Sequence, residues 1–222
     1  MKNNLVDLVI FGAGGHAREM CDLVVAINRL KPTYNLLGFL DQSTRVQTQC
    51  GLQRLGDHSW LCRHPDVRVV IAIGSTAARY RISKLLRSVC GNEFQTLIHP
   101  AAYIGAGCQI GAGSMIAAGV VLTCGVFLGE HTIVNVRASL SHEARTENFV
   151  TIAPNVTICG AVSILEGSDV GASATIIQQR KIGRWSIVGA GAVIISDVED
   201  NVTVVGNPAR LIAKREPDWQ NT

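Results

Sequence analysis

The stretch SLSHEARTENFV, residues 139–150, sets a histidine beside a carboxylate, His142 and Glu143, in a run otherwise dominated by small and aliphatic residues. Histidine titrates closer to neutral pH than any other side chain, so an imidazole can take a proton from an attacking amine or hydroxyl. A carboxylate beside it can orient the ring and stabilise the imidazolium that forms. A base of this kind is worth about 10²–10⁴ in rate. The bland reading of the same two residues is a solvated pair on a surface corner. The element that holds them decides between the two.

That element announces itself by period. Stepping by six from Ile98 to Ile194 meets Leu, Ile or Val at sixteen of seventeen positions, with Thr146 the exception. Four places after each of these, every residue except Arg180 is Val or something small. A sharp short period marks a repeat architecture, and six residues suits a parallel β-helix. Each hexapeptide makes a flat strand and a turn, and three close one triangular coil. The aliphatic side chain points inward, the small residue lets the chain round the corner, and glycines supply turn dihedrals. Coils stack at about 4.8 Å, and seventeen hexapeptides make just under six of them. In this register His142 and Glu143 fall on the turn after Leu140, where both side chains leave the coil.

The first ninety-seven residues follow other rules. LVDLVIFGAGGHAREMCDLVVAI reads as a buried strand, a glycine turn and a helix with Ala17, Met20, Leu23, Val24 and Ile27 on one face. YNLLGFLD reads as a second strand ending at Asp41, and DVRVVIAIGSTAARYRISKLL as a further strand, turn and helix. Strands alternating with helices predict a parallel sheet with crossovers, here a truncated Rossmann-like domain. The expected fold is therefore a small Rossmann-like α/β domain, residues 1–97, followed by an all-β parallel helix and C-terminal tail, residues 98–222. The Gly12-Ala13-Gly14-Gly15-His16-Ala17 turn lies where backbone N–H groups and a helix N-terminus meet an anionic ligand. It meets only a relaxed form of the dinucleotide fingerprint. Asp41 can reach a ribose or base, or serve as a turn residue, and His16 can belong to the pocket or to the surface.

Composition removes other classes. The 222 residues carry a formal net charge of only +3, with no basic block, which argues against nucleic acid as a partner. No apolar run approaches the roughly 20 residues of a membrane span, and the start reads as a strand rather than a signal peptide. Seven scattered cysteines without a CxxC read as reduced thiols in a cytoplasmic protein. No structural metal site is expected.

The hexapeptide run, residues 98 to about 205, resembles the hexapeptide acyltransferase superfamily, which implies left-handed coils and a homotrimer. With GAGGHA, FLD and IAIG ahead of it, the whole chain looks like the nucleotide-sugar acetyltransferases. These include UDP-4-amino-sugar N-acetyltransferases, GDP-perosamine N-acetyltransferases and sialic acid O-acetyltransferases. The resemblance implies acetyl-CoA as co-substrate, a nucleotide-linked amino sugar as acceptor, and direct attack of the amine on the thioester without an acyl-enzyme. It implies catalysis by His142 and Glu143, with backbone N–H groups near Gly160 as oxyanion donors. It places the nucleotide sugar on Gly12, Gly14, His16, Asp41 and Ser75, with Asn135 near the acceptor sugar. It puts Thr151, Gly160, Ala172 and Ala190 along a CoA channel between two subunits.

The chain departs from that pattern in places. Thr151 stands where some relatives carry a second histidine, Thr146 breaks the aliphatic register, and Arg180 in QQRK predicts an outward bulge. A zinc-dependent carbonic anhydrase shares the coil, but His99, His131 and His142 do not have the spacing of its three ligands. A non-catalytic nucleotide-binding scaffold remains the alternative from another class, and sugar O-acetylation the alternative chemistry.

Overall fold

The computed structural model describes residues 5–221, so the reading of the chain's start is tested only from Leu5. The chain divides into two compact units, residues 1–100 and 101–222.

In the first unit β1 (Val6–Phe11), β2 (Tyr34–Leu40), β3 (Thr48–Gln49), β4 (Leu52–Gly56) and β5 (Arg68–Ile71) form one sheet in the order β3-β4-β2-β1-β5. All pairings are parallel except β3 with β4. Helix α1 (Gly15–Leu30) buries Ala17, Met20, Leu23 and Val24, leaving Ile27 part-exposed. Helix α2 (His58–Cys62) is short, and α3 (Thr76–Val89) buries Ala77, Arg79 and Leu86. The β3–β4 hairpin and α2 were not legible beforehand. The hairpin turns on Cys50 and Gly51, at φ 52° and 74°, the geometry that Asn-Gly usually signals. The thiol reading needs correction for two residues. Cys62 and Cys90 form a disulfide, with Cα atoms 4.4 Å apart. They sit at the C-terminal ends of α2 and α3, 28 residues apart in sequence, which no local motif reveals. The other five cysteines are free.

The second unit is the expected parallel β-helix. Two-residue strands pair in parallel with strands eighteen residues on, as Ser139–Leu140 does with Thr157–Ile158 and Arg145–Thr146 with Ser163–Ile164. Three faces result. The first runs from Tyr103–Ile104 to Val193–Ile194 and the second from Gln109–Ile110 to Lys181–Ile182. The third is closed at its end by the hairpin of Val202–Val205 and Arg210–Lys214. From Ile116 onward the register aliphatics are buried in one continuous core. The small residues four places on are buried with them, including Ser114, Thr132, Ser168 and Ser186. At the start the register slips, since Leu97 is buried and Ile98 is 36% exposed.

Both oddities of the repeat have a physical account. Thr146 is buried because its hydroxyl accepts the Gly129 N–H at 3.2 Å and meets the Thr132 hydroxyl at 3.3 Å. Arg180 does not force a bulge. Its carbonyl accepts the Ser163 N–H at 2.9 Å, so the ladder passes through unbroken. The side chain turns out of the core instead, donating from Nε to the Gln178 carbonyl at 3.2 Å and lying 3.7 Å from Asp197.

Every sixth residue from Gly107 to Gly191 has positive φ, and nine of these fifteen are not glycine. Sequence reading expected glycine to supply such turns. The substitute is a hydrogen bond between coils. From Gly125 to Gly191 the N–H of each left-handed residue reaches a carbonyl nineteen residues earlier, as from Ala161 to His142 and from Gln179 to Gly160, both 2.9 Å. One such bond recovers much of what a left-handed residue costs.

On one corner Arg184 holds both Glu147 carboxylate oxygens at 3.1 Å, and Glu147 accepts the Glu166 N–H. Burial first, and then the Glu147 charge, raise the Glu166 carboxyl above its ordinary value, with Arg184 opposing. A carboxyl whose folded value is raised favours folding while protonated and loses that contribution as pH rises through it. Glu166→Gln is therefore expected to raise the thermal midpoint at pH 7. The gain should vanish below pH 4.5, the ordinary glutamate value, when melting is followed by circular dichroism.

Candidate active site

In the first unit, chain topology gathers the candidate residues at the carboxyl edge of the sheet. β1 lies between β2 and β5, so the loops after all three open at the point where ligands bind in open α/β sheets. Gly12 follows β1 at φ 124°, and a Cβ there would lie 2.9 Å from the Ala72 carbonyl oxygen. Its glycine is required by the close approach of two strand ends. Gly14 caps α1 without a side-chain acceptor and is exposed, leaving the first helical N–H groups for an anion. Ser75 caps α3, its hydroxyl accepting the Ala78 N–H at 3.4 Å.

His16 is not a surface histidine. Its side chain is 12% exposed, with Nδ1 2.9 Å from Glu19. Burial pushes the imidazole below its usual range, against the pull of Glu19, and the Arg79 charge adds to the depression. Nε2 is buried without a hydrogen-bond partner among the described residues. Arg79 is wholly buried and donates to the Ile73 and Gly74 carbonyls at 2.9 and 3.1 Å, fixing the loop after β5.

A cleft of about 390 Å³ opens beside these loops, lined by Phe11, Asp41, Gln42, Ile73 and Arg81 among others. Of the five residues expected to hold the nucleotide, Asp41 lines it and the others border the same sheet edge. Asp41 is also the turn residue of the alternative reading, since Oδ1 accepts the Ser43 N–H at 2.7 Å. Sequence reasoning missed Arg81, whose helical spacing carries no motif.

In the second unit, His142 and Glu143 are the central residues of a turn closed by the Ala144 N–H on the Ser141 carbonyl at 3.2 Å. Glu143 takes the left-handed position at φ 60°, and its N–H reaches the Cys124 carbonyl at 3.1 Å. Both side chains are mostly exposed, 62% and 71%, with Nδ1 3.6 Å from Oε2. That separation is an ion-pair distance, longer than a hydrogen bond. The imidazole lies across Gly160, so that a Cβ built there would meet its Cε1 and Nε2. The arrangement is an exposed base, a carboxylate facing its far nitrogen, and a bare backbone beside the near one.

The other expected residues do not join this corner in a single chain. One coil is eighteen residues, so only positions separated by that interval stack. Gly160 follows His142 by eighteen. Ala172 and Ala190 stack on a different corner, above Val136 and Pro154, as the Gly191-to-Ala172, Ser173-to-Pro154 and Asn155-to-Val136 bonds record. Asn135 begins that corner, its side chain accepting the Val136 N–H at 2.7 Å. Thr151 lies on the third face. This division was available from the spacing modulo eighteen. His131, one of the three histidines weighed as metal ligands, is buried and stacked on Phe149 at 5.0 Å, on another corner from His142.

The PglD N-terminal domain family matches residues 7–86, and the bacterial transferase hexapeptide family matches residues 94–124. The acetyltransferase domain of PglB from Neisseria gonorrhoeae is 31% identical. It aligns over 93% of this chain and 99% of its own, at a TM-score of 0.84. The chain belongs to the hexapeptide-repeat nucleotide-sugar acetyltransferase family. A perosamine N-acetyltransferase from Caulobacter crescentus, solved with CoA and GDP-perosamine, is a further member-like neighbour. It is 27% identical over 94% of this chain and 97% of its own, at a TM-score of 0.87. The small Rossmann-like unit followed by a left-handed parallel β-helix is thus the family's architecture. Among curated proteins, serine acetyltransferase from Escherichia coli is 29% identical over 148 residues. The chain spans less than half the length of the serine acetyltransferases it matches. Among the described residues no helix is long and apolar enough to cross a membrane.

Proposed function

We propose that this member of the family is a cytoplasmic acetyl-CoA-dependent N-acetyltransferase. Its acceptor is the amino group of a nucleotide-linked amino-deoxy sugar, made for bacterial glycan biosynthesis. The observation that carries the reading is the His142 corner, an exposed imidazole between Glu143 and the bare Gly160 backbone. Support comes from the full-length likeness to acetyltransferases solved with CoA, acetyl-CoA or GDP-perosamine. The Caulobacter enzyme was solved with both ligands in variants that replace a histidine by asparagine or alanine.

In this reading the sugar amine attacks the thioester carbonyl and passes a proton to Nε2 of His142. Glu143 faces Nδ1 and stabilises the imidazolium. The Gly160 N–H, which meets no carbonyl of the ladder among the described residues, faces the developing oxyanion. Collapse expels the CoA thiolate, which takes the proton back from the imidazolium. Asp41 and the carboxyl edge of the sheet hold the nucleotide. Thr151, Ala172 and Ala190 lie away from His142 in one chain, so they line the CoA channel only if a second subunit brings them to it. A convex corner cannot enclose a substrate alone, so the active unit is a homotrimer with shared sites. The serine acetyltransferase matches keep O-acetylation, of sialic acid or another sugar, as the second reading.

Three outcomes test this. With acetyl-CoA and a panel of nucleotide-linked amino sugars, His142→Ala should lower kcat by about 10²–10⁴. Glu143→Gln should cost less, and a fully active His142→Ala would return the pair to a solvated corner. Asp41→Ala should raise KM for the nucleotide sugar roughly tenfold, the scale of one charged hydrogen bond. KM for acetyl-CoA should stay unchanged, and equal effects on both would mean that Asp41 acts through folding. Light scattering at micromolar concentration should give three times the chain mass, and a catalytically active monomer would rule out the shared site.

A further inference from the structure

We infer that Gly160 is a positioning residue for His142, and that its missing Cβ is the seat of the imidazole. The inference rests on the general-base reading and adds the group that fixes the base in place.

The first question is why glycine stands at 160 at all. Its backbone does not demand one, because it lies outside the positive-φ region that the left-handed positions occupy. Coil packing does not demand one either. At Gly111, Gly129, Gly171 and Gly183 an added Cβ would strike backbone atoms of the next coil. At Gly160 the three nearest atoms all belong to the His142 ring. The equivalent corner positions one coil away on either side of this pair, Cys124 and Gln178, carry side chains. The corner itself therefore tolerates them.

Two other glycines in the coil also make room for a ring, Gly113 for His131 and Gly167 for Trp185. Both are left-handed, and both rings are buried, so burial and backbone explain them. His142 is 62% exposed. The fold gains little by laying this ring down, yet space is kept for it.

The seat sets the ring's direction. With Cε1 and Nε2 against Gly160, Nδ1 is left facing Glu143 at 3.6 Å. The proton-accepting nitrogen then lies where a side chain at 160 would begin. A methyl group at 160 occupies the ring's place and turns both nitrogens away. Misplacement of a reacting group by about 1 Å can cost 10²-fold.

The test is Gly160→Ala, which adds the Cβ and keeps the N–H. Expected is a fall in kcat of about 10²-fold, with the thermal midpoint unchanged. The His142→Ala/Gly160→Ala double variant should be no slower than His142→Ala alone, because the methyl acts only through the ring. The NMR signal of the His142 Cε1 proton should shift in Gly160→Ala. A Gly160→Ala enzyme with full kcat would overturn the inference, and so would a further loss in the double variant. If His142→Ala keeps full activity, the general-base reading falls. The seat is then decided by the Cε1 signal alone, and an unmoved signal removes it.

Discussion

The hydrogen bond between coils is the constraint on which the second unit depends. Each turn places one residue in the left-handed region, and from Gly125 to Gly191 its N–H reaches back nineteen residues to a carbonyl of the coil below. Because the bond is made by backbone alone, the side chain there is free to vary. Arg137, Glu143, Phe149, Asn155 and Trp185 all occupy such positions. A corner can thus carry a charged or aromatic group without losing the coil, and Glu143 can stand beside His142.

The same constraint explains how the coil gives His142 its surroundings. The interior takes the register aliphatics and their small partners, while the Thr146 hydroxyl is hydrogen-bonded inside and the Arg180 side chain is expelled. What projects from a corner is stacked at a fixed interval with what projects from the coils next to it. That interval puts His142 and Gly160 on one corner. The helix supplies rigid spacing and the sequence chooses which side chains to align, the condition for holding a catalytic geometry to within an ångström.

The first unit reaches its site by a different route. There the strands differ in sequence and the order of the sheet does the work, bringing the loops after β1, β2 and β5 to one edge. Two residues hold those loops. Gly12 admits the close approach of β1 to the Ala72 carbonyl, and the buried Arg79 ties the Ile73 and Gly74 carbonyls. A helix arginine such as Arg79 reads as solvated until its burial is known.

Periodicity by itself determined most of the second unit: the coil, its interior, the turn that exposes His142 and Glu143, and, through the interval of eighteen, the corner each residue shares. It determined these because a backbone ladder converts sequence spacing directly into spatial spacing. It did not show which way a side chain lies on its corner. The imidazole over Gly160, the Arg180 guanidinium turned to Asp197 and the Thr146 hydroxyl on Thr132 are decided by packing against the neighbouring coil. In the first unit the strand and helix patterns gave β1, α1, β2, β5 and α3. The Cys62–Cys90 disulfide, the Cys50-Gly51 hairpin and the cleft between Asp41 and Arg81 came only from tertiary structure. The disulfide and the cleft join residues whose separation in sequence follows no period, and Cys-Gly lacks the turn signal that Asn-Gly carries.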